Sequence, residues 1–203
     1  MSDGSRPPEQ PLDPVHPLPP GQREEAALRV VHYGRVPRID LDRWRLAVRG
    51  ATADGADHAL SWADVEALPH VSQVGDLHCV SRRSTLGLRW GGIPARELLA
   101  AVPPAPEARW ALVSAVFGYS ANIRREDLER PEALLATELN GAPLEPAHGW
   151  PLRLVLPHLY AWKGPKWLVD VEYLAEPRRG FWESQGYHFT GDVAREERYA
   201  HQE

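Results

Sequence analysis

A single cysteine in 203 residues, Cys79, limits how this chain can hold itself together. No intramolecular disulfide can form, and no multi-cysteine zinc or iron–sulfur site can staple the fold. Stability must therefore come from a packed core, and the length suits one such domain with at most a small second one. The cysteine sits in Asp76-Leu77-His78-Cys79-Val80-Ser81-Arg82-Arg83-Ser84. The run from His70 to Val80 is apolar and β-branched and predicts a strand. Small and basic residues follow, then Gly91-Gly92-Ile93-Pro94, which predicts a helix start. A thiol at the carboxyl end of a strand, among cations, has its pKa lowered and can act as ligand or nucleophile. A lone cysteine can equally be a small buried hydrophobe. Spacing alone leaves both readings open.

Along the rest of the chain the patterns are local and readable. Residues 1–22 carry seven prolines and almost no bulky apolar side chains, which predicts a flexible arm. Trp44, Leu46 and Val48 alternate with polar residues, the period of a strand with one buried face. Ser61 with Asp64 three residues on predicts a capping box for a short helix that Pro69 stops. Pro94 suits the first turn of a helix reaching about Val102. Trp110 to Val116 reads as a buried strand, followed by a Phe117–Ile123 loop, and Asp127 to Leu135 as a helix broken at Pro131. Leu134–Leu139, Asn140-Gly141 and Ala142–Leu144 read as a hairpin, because Asn-Gly supplies positive φ angles. Pro151–Leu156 and Trp167–Tyr173 are further strands, and the chain beyond Pro177 reads as an irregular packed tail.

The formal net charge of −5 gives no sign of nucleic acid or of an anionic membrane surface as a partner. No apolar run approaches a membrane span and no signal-peptide core is present. Arg178-Arg179 lies far from the start, so it is not an export signal, and a cytoplasmic location is expected.

Two blocks carry a resemblance. The first is His78-Cys79-Val80-Ser81 followed by Arg89-Trp90-Gly91-Gly92-Ile93-Pro94. The second is His148-Gly149-Trp150-Pro151-Leu152-Arg153-Leu154-Val155-Leu156-Pro157 followed by Lys163-Gly164-Pro165-Lys166-Trp167-Leu168. In order and separation they resemble the sulfite oxidase-like molybdopterin oxidoreductases, from about Val30 to the end, and most closely the short, cofactor-only members.

The resemblance implies an α+β fold, mixed β-sheet with short helices, in one domain over residues 23–203. It implies a molybdenum-molybdopterin cofactor, with Cys79 as the protein thiolate on the metal. Soft thiolate suits such a centre, and the cofactor brings its own sulfurs. Arg153, Lys163 and Lys166 would hold the terminal phosphate, with His148 beside the pterin. Lys163 can also be a solvated loop charge, and Arg153 can simply pair with a carboxylate. His32 and Tyr33 match the first cofactor-touching loop, and Asn122 matches a loop beside the site; a plain loop histidine and a plain turn are the alternatives. Arg82, with Arg83, would draw an anionic substrate to the metal, or face solvent. Arg83 departs from the family, which often has Trp there, and Trp150 replaces a smaller residue. Tyr187 loosely matches a family tyrosine that points at the metal, or is a core tyrosine.

The expected activity is oxygen-atom transfer on a small-molecule substrate. A Cys-x-x-Cys-His haem motif is absent, so electrons would be exchanged with a separate partner. A dimerisation domain, found after the core in larger members, is not expected. Two other readings stand: a cysteine-nucleophile hydrolase, and a molybdopterin carrier without turnover.

Overall fold

The structure, a computed structural model, describes residues 17–203. In chain order the elements are β1 (Arg23–Glu24), β2 (Arg45–Gly50), β3 (His58–Ser61), α1 (Trp62–Glu66), β4 (Val71–Cys79), β5 (Arg83–Pro94) and α2 (Ala95–Ala101). Then come β6 (Trp110–Ala115), β7 (Ser120–Arg124), α3 (Arg125–Glu129), β8 (Leu134–Leu139), β9 (Ala142–Pro143), β10 (Arg153–Val155) and β11 (Leu168–Leu174). The expected α+β class holds, but the strands form two mixed sheets. One runs β1-β5-β8-β10, with β4 on β5 and β9 on β8; the other runs β3-β2-β11-β6-β7. The parallel pairs are β1 with β5 and β2 with β11.

Local chemistry explains most boundaries. Ser61 and Asp64 form the reciprocal capping box, satisfying two otherwise free donors at the start of α1. Asn140 and Gly141 adopt φ of 54° and 80°, the two positive angles that a two-residue turn between β8 and β9 requires. The main core joins Leu46 and Val48 of β2 and Val113 and Val171 of the same sheet to Leu98 of α2. Leu135 and Leu154 of the other sheet close it from the far side. Burying each such side chain contributes about 1.5–3 kcal/mol.

Several expectations change. The polar loop expected after Cys79 shrinks to Val80–Arg82, because Arg83–Pro94 is a twelve-residue strand that runs back along β4. Asn122 sits in β7 rather than in a loop. Pro94 caps α2 from just outside instead of filling its first turn. The helix expected from Asp127 is the single turn of α3, which starts at Arg125, and the chain is strand again by Leu134.

Of the arm expected over residues 1–22, residues 1–16 lie outside the described residues. Gln22 is joined to the domain, donating from Nε2 to the Cys79 carbonyl at 3.3 Å. The folded part therefore opens before Val30, and residues 25–38 cross the surface without regular structure. Among the described residues no helix is long and apolar enough to cross a membrane.

Candidate active site

Cys79 closes β4, and Arg83 opens β5 directly opposite it in the antiparallel register. Such cross-strand partners project to the same face. Both line one cavity of about 420 Å³, a size that suits a small ligand or cofactor. The intervening turn is tight: Arg82 N donates to the Cys79 carbonyl at 3.1 Å, and Arg82 adopts φ 66°. That turn leaves Arg82 exposed, outside the cavity it was expected to serve. Ser81 Oγ donates to Cys79 Sγ at 3.0 Å. His78 points the other way, buried, with Nδ1 2.7 Å from Ser84 Oγ and its pKa lowered by that burial.

Around Cys79 the walls are aromatic. Val80, Trp182 and Tyr187 pack against Tyr160 and Trp162, and Tyr187 lies 5.0 Å from Trp182 and 5.4 Å from Trp162 between ring centroids. Tyr187 thus lines the cavity and is not merely a core tyrosine. His32 and Tyr33 line it as well; His32 meets Trp167 edge-on at 5.4 Å, and Tyr33 leans on Phe181 at 4.5 Å.

A second group of lining residues is cationic. Arg153 on β10 and Lys166 face each other across an isolated bridge. Gly149 makes the approach feasible, since a Cβ there would lie 3.0 Å from Arg153 Cβ and 3.2 Å from Lys166 Cβ. Arg153 is only 2% exposed, yet among the described residues it meets no carboxylate: Nη1 donates to the His148 carbonyl at 2.9 Å, and its charge lies 5.2 Å from the Trp90 ring. Its Nε has no partner among the described residues. Burial pulls its pKa down to about 10. Lys166 donates to the Val31 and Ala147 carbonyls at 3.0 and 2.8 Å, and burial beside Arg153 pulls its pKa down to about 7. A buried guanidinium beside a half-buried ammonium, with no counter-ion among the described residues, is costly unless an anion joins them. His148 supplies its carbonyl, not its ring, and is not among the lining residues. Its pKa is lowered by burial and by these two cations.

Two expected contacts lie behind the wall. Lys163 is 1% exposed, neither a solvated loop charge nor a cavity cation. Its Nζ donates to Glu183 Oε1 at 2.8 Å, to the Phe189 carbonyl at 2.7 Å and to the Asn122 carbonyl. Gly164 turns the chain there so closely that a Cβ would fall 2.4 Å from the Leu154 carbonyl, which sends Lys163 and Lys166 to opposite sides. Asn122 is equally buried and donates its backbone N–H to Glu183 at 2.9 Å.

These residues fit a molybdopterin. The uncompensated Arg153–Lys166 pair and the partnerless Nε1 of Trp162 await acceptors, and the cavity presents a thiol. Among the described residues no group of three His, Cys, Asp or Glu side chains could hold a metal, so a metal here would need ligands supplied by its own cofactor. The fold and site thus fit the class of pterin-dependent oxidoreductases, with one cysteine thiol lining the cavity.

Comparison with known proteins agrees. A profile of the oxidoreductase molybdopterin binding domain matches residues 33–182. An uncharacterized oxidoreductase of Bacillus subtilis, YuiH, is 38% identical over 185 residues, covering 90% of this chain and 91% of that protein. The mitochondrial sulfite oxidase of Rattus norvegicus is 29% identical over 180 residues, covering 75% of this chain and 33% of the enzyme. The crystal structure of the sulfane dehydrogenase SoxCD from Paracoccus pantotrophus shares the fold, with a TM-score of 0.67 at 18% identity, over 84% of this chain and 49% of that one. This chain belongs to the sulfite oxidase-like molybdopterin oxidoreductase family. It spans nearly all of the Bacillus relative but a third of the rat enzyme.

Proposed function

We propose that this chain carries a molybdenum-molybdopterin and transfers an oxygen atom to or from a small substrate, exchanging electrons with a separate protein. The observation that carries this reading is the uncompensated pair of buried Arg153 and half-buried Lys166 in the same cavity as Cys79. The pair would neutralise the anionic end of the cofactor, and Cys79 would ligate the metal. Bound there, the cofactor supplies two-electron redox chemistry at a metal centre. Tyr187, Trp162 and Trp182 would exclude water from the reacting atoms, and Ser81 would hold the thiolate through its hydroxyl. Among the described residues Cys79 Sγ accepts a hydrogen bond from the Ser81 hydroxyl and none from a histidine, which favours the ligand reading over a cysteine-nucleophile hydrolase.

Protein made in a pterin-synthesising host should contain about one molybdenum per chain and a thiolate-to-metal absorption band. In Cys79→Ala the band and the turnover should both vanish. Full turnover in Cys79→Ala would overturn the ligand assignment.

A further inference from the structure

Two distant segments of the chain meet behind the cysteine turn, and Arg198 joins them. Arg198 lies in the irregular tail, is only 5% exposed, and holds its guanidinium 5.2 Å from the Tyr160 ring. Tyr160 is wholly buried and is not among the residues lining the cavity. It forms a parallel bridge with His78 on one side of Cys79, while Val80 on the other side packs against its cluster. That is one route from Arg198 to the thiol.

The second route runs through the amino-terminal segment. Arg198 Nη1 donates to Glu196 Oε1 at 2.6 Å. Gly21, at φ 66°, rests on this pair so closely that a Cβ would fall 2.2 Å from Glu196 Oε1 and 3.2 Å from Arg198 Nη2. The next residue, Gln22, holds the Cys79 carbonyl through Nε2 at 3.3 Å, and the Arg23 N–H holds the Arg82 carbonyl at 3.0 Å. The turn gripped in this way contains Arg82 at φ 66°, a conformation that persists only where its surroundings fix it.

Packing alone does not account for an arginine at position 198. Its Nε and Nη2 have no partner among the described residues, and such unmet buried donors are destabilising. What its charge does make is the bond to Glu196 and the contact with the Tyr160 ring. Both lead to Cys79.

We infer that Arg198 is a positioning residue for Cys79, fixing the cysteine turn through Tyr160 on one side and through Glu196, Gly21 and Gln22 on the other. The consequence for a bound metal rests on the ligand reading above; the hold on the turn does not.

Amide exchange in full-length, cofactor-free protein reads the turn directly, because the Arg82 N–H donates to the Cys79 carbonyl. Arg198→Met should speed exchange at Arg82 and Arg23 about tenfold, as for the loss of one contact made by a charged group. Amides in the middle of β5 should stay within about twofold of wild type. Arg198→Lys, which keeps a cation for Glu196, should return the two turn amides to within about threefold. Gly21→Ala attacks the same clasp from the other segment, should speed the same amides, and decides the matter should Arg198→Met fail to fold. Tyr173→Phe deletes a buried hydrogen bond to the Val102 carbonyl in the other sheet and should leave both turn amides within about twofold. In the holoprotein, Arg198→Met and Gly21→Ala should both shift the thiolate-to-metal absorption band. Unchanged exchange at Arg82 in the folded clasp variants overturns the proposal. Faster exchange with a band unmoved in both overturns the positioning of the thiolate. Faster exchange in a protein whose wild type shows no such band upholds the clasp and removes the ligand reading.

Discussion

Lys163 and Lys166 stand three residues apart in Lys-Gly-Pro-Lys, and the fold gives them opposite environments. Lys163 lies behind the cavity wall with Glu183 and two backbone carbonyls around its ammonium. Lys166 lies in the wall with two carbonyls and, for a neighbour, the cation Arg153. Burial lowers the pKa of both, but only for Lys163 does a carboxylate push back. A buried lysine with its counter-ion is a strut. A half-buried lysine without one is half of a binding site.

Breaking the strut should have the largest effect. Lys163→Met leaves Glu183 as a buried, unpaired carboxylate, which should cost about 3–5 kcal/mol in denaturant unfolding whether or not cofactor is present. If it costs under about 1 kcal/mol, the two lysines are equivalent and the comparison fails.

Arg153→Met should behave oppositely. The cofactor-free protein should melt no lower than wild type, because the change removes an uncompensated buried charge. Cofactor retention should fall about 10–150-fold, the loss of one charge-assisted contact of roughly 1.5–3 kcal/mol. Cofactor content unchanged in a folded Arg153→Met would move the anion site elsewhere.

The pH dependence sharpens the contrast on a smaller scale. Lys166 holds a proton only below about 7, while sulfate stays a dianion throughout. Sulfate affinity of the cofactor-free protein should therefore drop about fivefold between pH 6 and pH 8. The unfolded chain keeps the proton up to the ordinary value of 10.5, so stability of the cofactor-free protein should rise with pH between about 7 and that value. Flat sulfate affinity from pH 6 to 8 would show that the Lys166 charge does not serve the anion.

The smallest effect concerns the amino-terminal segment. Removing residues 1–16 should change neither melting nor cofactor content. Removing residues 1–22 also deletes Gln22, which donates to the Cys79 carbonyl and accepts from Ser84 Oγ at 3.3 Å, and should speed cofactor release about threefold. Equal release from both truncations would show that Gln22 does not brace the cysteine turn.

Much of this architecture was legible because it is locally encoded. The alternation at Trp44, Leu46 and Val48, the Ser61–Asp64 box and the Asn140-Gly141 turn each need only their own neighbours. The two blocks around Cys79 and Arg153 carried the family. What escaped depends on partners distant in sequence. β5 hides its strand character behind Gly87, Gly91 and Gly92, which are tolerated because β4 and β8 flank it. The depth of Lys163 is set by Glu183, twenty residues later. Glu25 has no motif at all; its contact with Arg83, 58 positions away, comes from the pairing of β1 with β5.

That last placement has a temporal consequence. β1 is two residues long and exposed, and the chain after it lines the cavity with few backbone bonds. Segments of that kind open at a small fraction of the global unfolding free energy. Its partner strand is synthesised some sixty residues later, so the ladder closes only after the β4–β5 hairpin exists. The two-residue β1 ladder thus needs the β4–β5 hairpin as its template, and amide exchange should report it as the least protected pairing of its sheet.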